Sequence, residues 1–171
     1  MLEYLSNARR PMSLLGFSSG MAAYRPPTSA PTLESVAFQD GAVRKDSGRP
    51  LRVVIVEDEA IIAMELEMLL EDLGMEVVGK AMSAAEAEAL VSAEQPDFLT
   101  MDIHIKGNRD GVEAACTIFQ RYGIRAIFVS AFSDAEIRER AIPAKPFGWI
   151  RKPVDPADLA NAVKHMDRSK T

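Results

Sequence analysis

The chain of 171 residues holds one cysteine, Cys116. An intrachain disulfide is therefore impossible, which fits a reducing cytoplasm. Histidines are scarce too, His104 and His165 being the only two, so the N/S donor set of a zinc centre cannot be assembled from spacing. No apolar run reaches the roughly 18 residues a membrane helix needs. A secretory signal is not expected, because no basic segment precedes the short MSLLGF run and Arg9, Arg10 and Pro11 interrupt its apolar character. The P-loop, G-x-G-x-x-G and H-E-x-x-H patterns are missing, and with them the foothold for nucleotide, hydride-transfer and zincin chemistry. A surplus of basic residues is also lacking. The net charge is −5, divided as about +2 over residues 1–49 and −7 over the rest, which argues against the acidic part gripping nucleic acid directly.

The first fifty residues contain five Pro, four Gly and seven Ser, with no apolar periodicity lasting two helical turns. Such a segment cannot easily offset the entropy of ordering, so residues 1–49 are expected to be a flexible arm. Residues 50–171 read as one domain, long enough for its own core.

Within that domain, apolar runs rich in Val, Ile and Phe alternate with amphipathic stretches. The runs predict strands at 52–57, 75–79, 97–102, 125–130 and 147–151, buried on both faces as in a parallel sheet. Between them, AIIAMELEMLLEDLG repeats Ile62, Leu66, Leu69 and Leu73 at helical spacing before a capping Gly74; GVEAACTIFQRYG turns Val112, Ala115, Phe119 and Tyr122 inward. SAAEAEALVSAEQ, the short SDAEIRERAI and a segment from Pro156 to Met166 supply three more helices. The expected fold is α/β: a doubly wound five-stranded parallel sheet flanked by five helices. Cys116 is expected as a small buried group on the third helix.

Polar chemistry gathers at the carboxyl ends of these runs: Glu57 and Asp58 after LRVVIV, Asp102 after DFLTM, Ser130 after RAIFV and Lys152 after FGWIR. Open α/β sheets place ligands at that edge. Taken singly, an acidic pair after a strand is also what a helix N-cap looks like, and a lone serine or end-of-strand lysine says little. Asp58 to Asp102 spans 44 residues, Asp102 to Ser130 spans 28, and Ser130 to Lys152 spans 22.

Over about 51–168, the ordered signatures VVIVEDEAIIAMELEMLLEDLG, DFLTMDIHIKGNRDGVEAA, FVSAF and GWIRKPVD resemble the receiver domain of two-component response regulators, with its (βα)5 flavodoxin-like fold. The resemblance implies that Asp102 is the nucleophile that takes a phosphoryl group from a sensor histidine kinase or a phosphotransfer protein. It implies Mg²⁺ held by Glu57, Asp58, Asp102 and the backbone carbonyl of His104. Ser130 and Lys152 would meet phosphoryl oxygens. A divalent cation is needed because a carboxylate attacking an anionic donor is repelled by it. The expected protein is not an enzyme in the ordinary sense, since it catalyses only its own phosphorylation and dephosphorylation, and it is expected in the cytoplasm, off the membrane and off DNA.

The switch is expected to couple Ser130 to Trp149, which stands where receivers usually carry Tyr or Phe. The indole is bulkier and its polar group only donates. The altered surface would combine the fourth helix, the last strand and the last helix, the latter with Leu159, Val163 and Met166, some of these apolar groups belonging to the core, and a downstream protein would bind there. The loop IHIKGNRDG departs from the usual proline-containing turn, and Lys106 and Arg109 on it read as solvated charges or as aids to docking a phosphodonor. The short stretch after Lys152 leads to the expectation of a single-domain regulator that signals by partner binding or serves as a phosphorelay intermediate or sink. Two alternatives remain open: a phosphorylation-independent pseudo-receiver binding module, and a Mg-dependent hydrolase of the haloacid dehalogenase type, for which the D-x-D pattern is broken by His104.

Overall fold

The computed structural model describes residues 36–39, 42–45, 48–131 and 134–166. Seven strands and five α-helices follow one another: β1 (Val36–Gln39), β2 (Ala42–Lys45), β3 (Arg52–Val56), α1 (Ala60–Asp72), β4 (Glu76–Ala81), α2 (Ala84–Glu94), β5 (Phe98–Met101), α3 (Gly111–Tyr122), β6 (Ala126–Ser130), α4 (Ala135–Ala141), β7 (Gly148–Arg151) and α5 (Pro156–His165). The last five strands form one parallel sheet in the order β4-β3-β5-β6-β7. All five predicted parallel strands are present, with ends shifted by at most two residues.

Alternation along the strands sorts the core into two layers. Val54, Val56, Leu99, Met101 and Phe128 pack with Val91 of α2 and Val112 and Ile118 of α3. Their neighbours Val53, Ile55, Phe98, Ile127 and Val129 face Leu66 and Leu70 of α1 and Leu159 and Val163 of α5. Each large side chain so buried contributes on the order of 1.5–3 kcal/mol of transfer free energy. Because β3 has β4 on one side and β5 on the other, the winding reverses there. A crevice opens at the carboxyl ends of β3 and β5, the topological switch point.

Four of the five α-helix starts are fixed by short polar side chains, α1 alone having no side-chain cap. Ser83 accepts from the Glu86 amide at 3.3 Å while Glu86 accepts from the Met82 amide at 2.8 Å, a reciprocal cap for α2. Asp134 and Asp155 cap α4 and α5, the latter with Pro156 at the first helical position. Asp110 caps α3 through the Glu113 amide at 2.9 Å and pairs with Arg140 of α4 at 2.5 Å. Burial pushes the Asp110 carboxyl up, but the Glu113 amide and the Arg140 guanidinium outweigh it and hold the group below its ordinary value of 3.8. A carboxyl depressed in the folded state stabilises the fold above that ordinary value, and the contribution is lost as pH falls through the folded one. Asp110→Ala is accordingly expected to cost about 1–2 kcal/mol at neutral pH, with the gap between parent and variant narrowing below pH 3.8 in chemical denaturation. A gap unchanged down to pH 2 would contradict this account.

Three details differ from the sequence expectation. On α3 the deeply buried positions are Val112, Ala114, Ala115 and Ile118, whereas Phe119 and Tyr122 are half-buried; the Lys145 ammonium covers the Phe119 ring at 5.6 Å. Cys116 is likewise half-buried, its thiol pushed up by burial. Leu159, Val163 and Met166 are core residues at no more than 1% exposure, not part of a partner surface. Gly74 does terminate α1, with φ of 77° and its amide on the Glu71 carbonyl at 2.8 Å. Most of the expected arm lies outside the described residues, but β1 and β2 fall within it as an antiparallel hairpin whose register joins Gln39 to Ala42. Asp40-Gly41 between the short runs VAFQ and AVRK is the sequence signal for such a hairpin.

Candidate functional site

The sheet brings all five polar strand-end residues to one edge. β3 and β5 run in register from Val53↔Phe98 to Val56↔Met101, and the Asp102 amide donates to the Val56 carbonyl at 2.9 Å. Asp102 therefore emerges beside the Glu57-Asp58 pair. One carboxylate oxygen from each of these three residues lies within 4.8 Å of the others. On the other flank the Lys152 amide bonds the Ser130 carbonyl at 3.1 Å, which ties the ends of β6 and β7 together. An open cleft of about 690 Å³ is lined by Asp58, Asp102, His104, Ser130 and Lys152, among others.

Lys152 is the electrostatic centre. Its ammonium reaches Glu57 Oε2 and Asp102 Oδ2, each at 2.7 Å. Burial would lower the Lys152 pKa, yet the two carboxylates raise it above its ordinary value. Glu57, 2% exposed, has its carboxyl pushed up by burial and by the Asp102 charge, against the opposing pull of Lys152. Three carboxylates facing one ammonium leave a formal surplus of two negative charges, the charge of a divalent cation. Hard carboxylate oxygens in a cleft open to water are the donors Mg²⁺ takes, with water completing its octahedron. The residues thus fit the ion.

Asp102 is 6% exposed and Ser130 4%; His104 is exposed, its amide donating to Asp102 Oδ1 at 3.3 Å. Trp149 lies back from the cleft, half-buried on β7, stacked on Phe128 with ring centroids 4.4 Å apart. The Arg138 guanidinium of α4 sits 5.1 Å over the indole, an attraction to the ring face.

Sequence reading missed two residues near the site. A Cβ on Gly111 would sit 1.8 Å from the Asp102 carbonyl oxygen, so only glycine lets α3 start that close to the strand end. Glu88 of α2 binds both Arg109 and Arg121. A glycine directly after an aspartate N-cap was a usable signal for the first; a contact between separate elements left none for the second.

The sequence matches the response regulator receiver domain over residues 53–164. The chain belongs to that family. It is 36% identical over 119 residues to the transcriptional regulatory protein PdtaR of Mycobacterium tuberculosis, covering 70% of this chain and 58% of that protein. It is 32% identical over 113 residues to the phyllosphere-induced regulator PhyR of Methylorubrum extorquens, covering 65% and 41%. The chain spans about half the length of these relatives. Among solved structures, the signal receiver domain of a modulated diguanylate cyclase from Desulfovibrio desulfuricans G20 superposes with a TM-score of 0.65 at 31% identity, over 71% of this chain and 99% of that one. Family membership sets the hydrolase alternative aside. No helix among the described residues is long and apolar enough to cross a membrane.

Proposed function

We propose that this receiver accepts a phosphoryl group on Asp102 from a sensor histidine kinase or a phosphotransfer protein. The observation that carries the reading is the Asp102 carboxylate itself, nearly buried at a strand end, 2.7 Å from Lys152 and grouped with Glu57 and Asp58. Asp102 Oδ attacks the donor phosphorus, the P–N bond to the donor imidazole breaks, and the imidazole leaves with the bonding pair. Lys152 and the Ser130 hydroxyl face oxygens of the transferring group and stabilise its charge. Glu57, Asp58, Asp102 and the His104 carbonyl would hold Mg²⁺, which neutralises charge on donor and nucleophile. The chain turns over no external substrate in this scheme.

Its output is a change in its own surface, read by a protein partner, or simply the transfer of phosphoryl groups as relay or sink. Trp149 is the reporter of the first, stacked on Phe128 and met by Arg138 of α4, so that any movement of α4 alters its environment. Since Leu159, Val163 and Met166 are core, the surface open to a partner there is α4 with Ile142, which is 67% exposed, together with the outer side of α5 at Asp158, Asn161 and Lys164.

The test is incubation with autophosphorylated histidine kinases, in Mg²⁺ or in chelator, with the mass of the receiver as readout. A gain of one phosphoryl group only with Mg²⁺ is expected. Mg²⁺ at a hundredfold excess over its Kd should also stabilise the fold by about 2.7 kcal/mol, and Asp58→Asn should diminish that gain. Beryllofluoride with Mg²⁺ should change Trp149 emission. A receiver that neither gains mass nor shifts its melting with Mg²⁺ would be a phosphorylation-independent binding module. Phosphotransfer with silent Trp149 would leave the relay or sink role.

A further inference from the structure

The loop from Ile103 to Asp110, which carries the His104 carbonyl, is held at three places. The Gly111 amide closes its base on the Ile103 carbonyl at 2.8 Å. Its middle pairs with the start of α2, through the Lys106 amide on the Met82 carbonyl at 2.9 Å and a parallel bridge between Ser83 and Lys106. Its far end is fixed by Arg109, whose guanidinium reaches Glu88 at 2.6 Å.

Glu88 holds Arg121 of α3 as well, at 3.0 Å, and its side chain is only 16% exposed. One carboxylate thus separates two cations. Removing it does more than delete a pair, because Arg109 and Arg121 are left beside each other with like charge between the loop and α3. Arg109 is the freer side of that repulsion, being on the loop rather than in a helix.

We infer that Glu88 is a positioning residue for phosphotransfer at Asp102: through Arg109 it fixes the loop that presents the His104 carbonyl to the cation. The inference rests on the phosphoacceptor reading above. Groups that orient metal ligands from outside the coordination shell typically change affinity or activity by 10–100-fold when removed. Glu88→Gln is therefore expected to weaken Mg²⁺ binding and slow phosphorylation by acetyl phosphate about tenfold at temperatures well below melting. Arg109→Gln should act similarly. The double variant should be no worse than the worse single, since both belong to one link, whereas independent roles would multiply.

Hydrogen exchange of the full chain separates this from the phosphoacceptor reading. Glu88→Gln should speed exchange at the Lys106 and Gly111 amides while leaving the β5 amides protected. Unchanged exchange at Lys106 and Gly111 overturns the positioning role whatever the phosphorylation result. Faster exchange with unaltered Mg²⁺ affinity and rate overturns it as well, as it would make Glu88 merely structural. A parent protein that binds no Mg²⁺ and takes no phosphate, with exchange responding as expected, rejects the phosphoacceptor reading itself, and the inferred role with it.

Discussion

Asp102→Asn is expected to reduce phosphoryl incorporation from any donor to nothing while leaving a folded protein. Asparagine keeps the shape of the side chain and an oxygen for the His104 amide, which now reaches Asp102 Oδ1 at 3.3 Å, but the amide is no nucleophile toward phosphorus. The 2.7 Å contact with Lys152 weakens, yet Lys152 keeps Glu57 at the same distance. Loss of the Asp102 charge also relieves the repulsion that helps raise the Glu57 carboxyl. The two changes oppose each other, so the metal-free melting temperature should move little. Mg²⁺ binding should weaken, because the cluster falls from three carboxylates to two. Mass spectrometry of the variant after exposure to a phosphorylated kinase decides the matter. A phosphoryl group found on another carboxylate of this variant would reject Asp102 as the acceptor.

What the sequence allowed to be read follows from what periodicity encodes. The strand ends at Glu57, Asp102, Ser130 and Lys152 were legible because a buried parallel strand is a run of apolar residues, and the first polar residue after it marks the edge of the sheet. Four such ends in one parallel sheet can meet only on one side. Helix faces were less legible. A 3.6-residue period fixes which side of α3 is inward only to within a fraction of a turn, and the chain buries Ile118 rather than the larger Phe119, which instead lies under Lys145. Similarly, Leu159, Val163 and Met166 read equally as core or as docking surface, and only their packing against β6 and β7 residues such as Val129 and Ile150 decides for core. Arg109 looked like a solvated charge, since nothing in a linear sequence brings Glu88, 21 positions earlier, to its guanidinium. The hairpin of β1 and β2 was overlooked for a different reason: the Pro, Gly and Ser content of the first fifty residues masked a local Asp-Gly signal.

Gly111→Ala is expected to be the most damaging single methyl group in this chain's site. The Cβ would meet the Asp102 carbonyl oxygen at 1.8 Å, its carbon at 2.9 Å and Met101 Cγ at 3.1 Å. Ordinary contact begins near 3.5 Å, so backbone must yield by about 1.5 Å or more. The obstruction is backbone, which cannot rotate away as a side chain would. Either α3 backs off and breaks the 2.8 Å bond from the Gly111 amide to Ile103, or the strand end carrying Asp102 is displaced. Overpacking of this kind costs on the order of 1–3 kcal/mol, and misplacement of a reacting group by 1 Å can cost about a hundredfold in rate. Phosphorylation of the variant, measured well below its melting temperature at saturating Mg²⁺, should fall by about that factor. Gly148→Ala is the control: there the added Cβ finds only Ala162 at an ordinary 3.7 Å, so stability and rate should stay near those of the parent. The expectation fails if Gly111→Ala takes phosphate at the parent rate, which would mean that Asp102 keeps its place although α3 has moved.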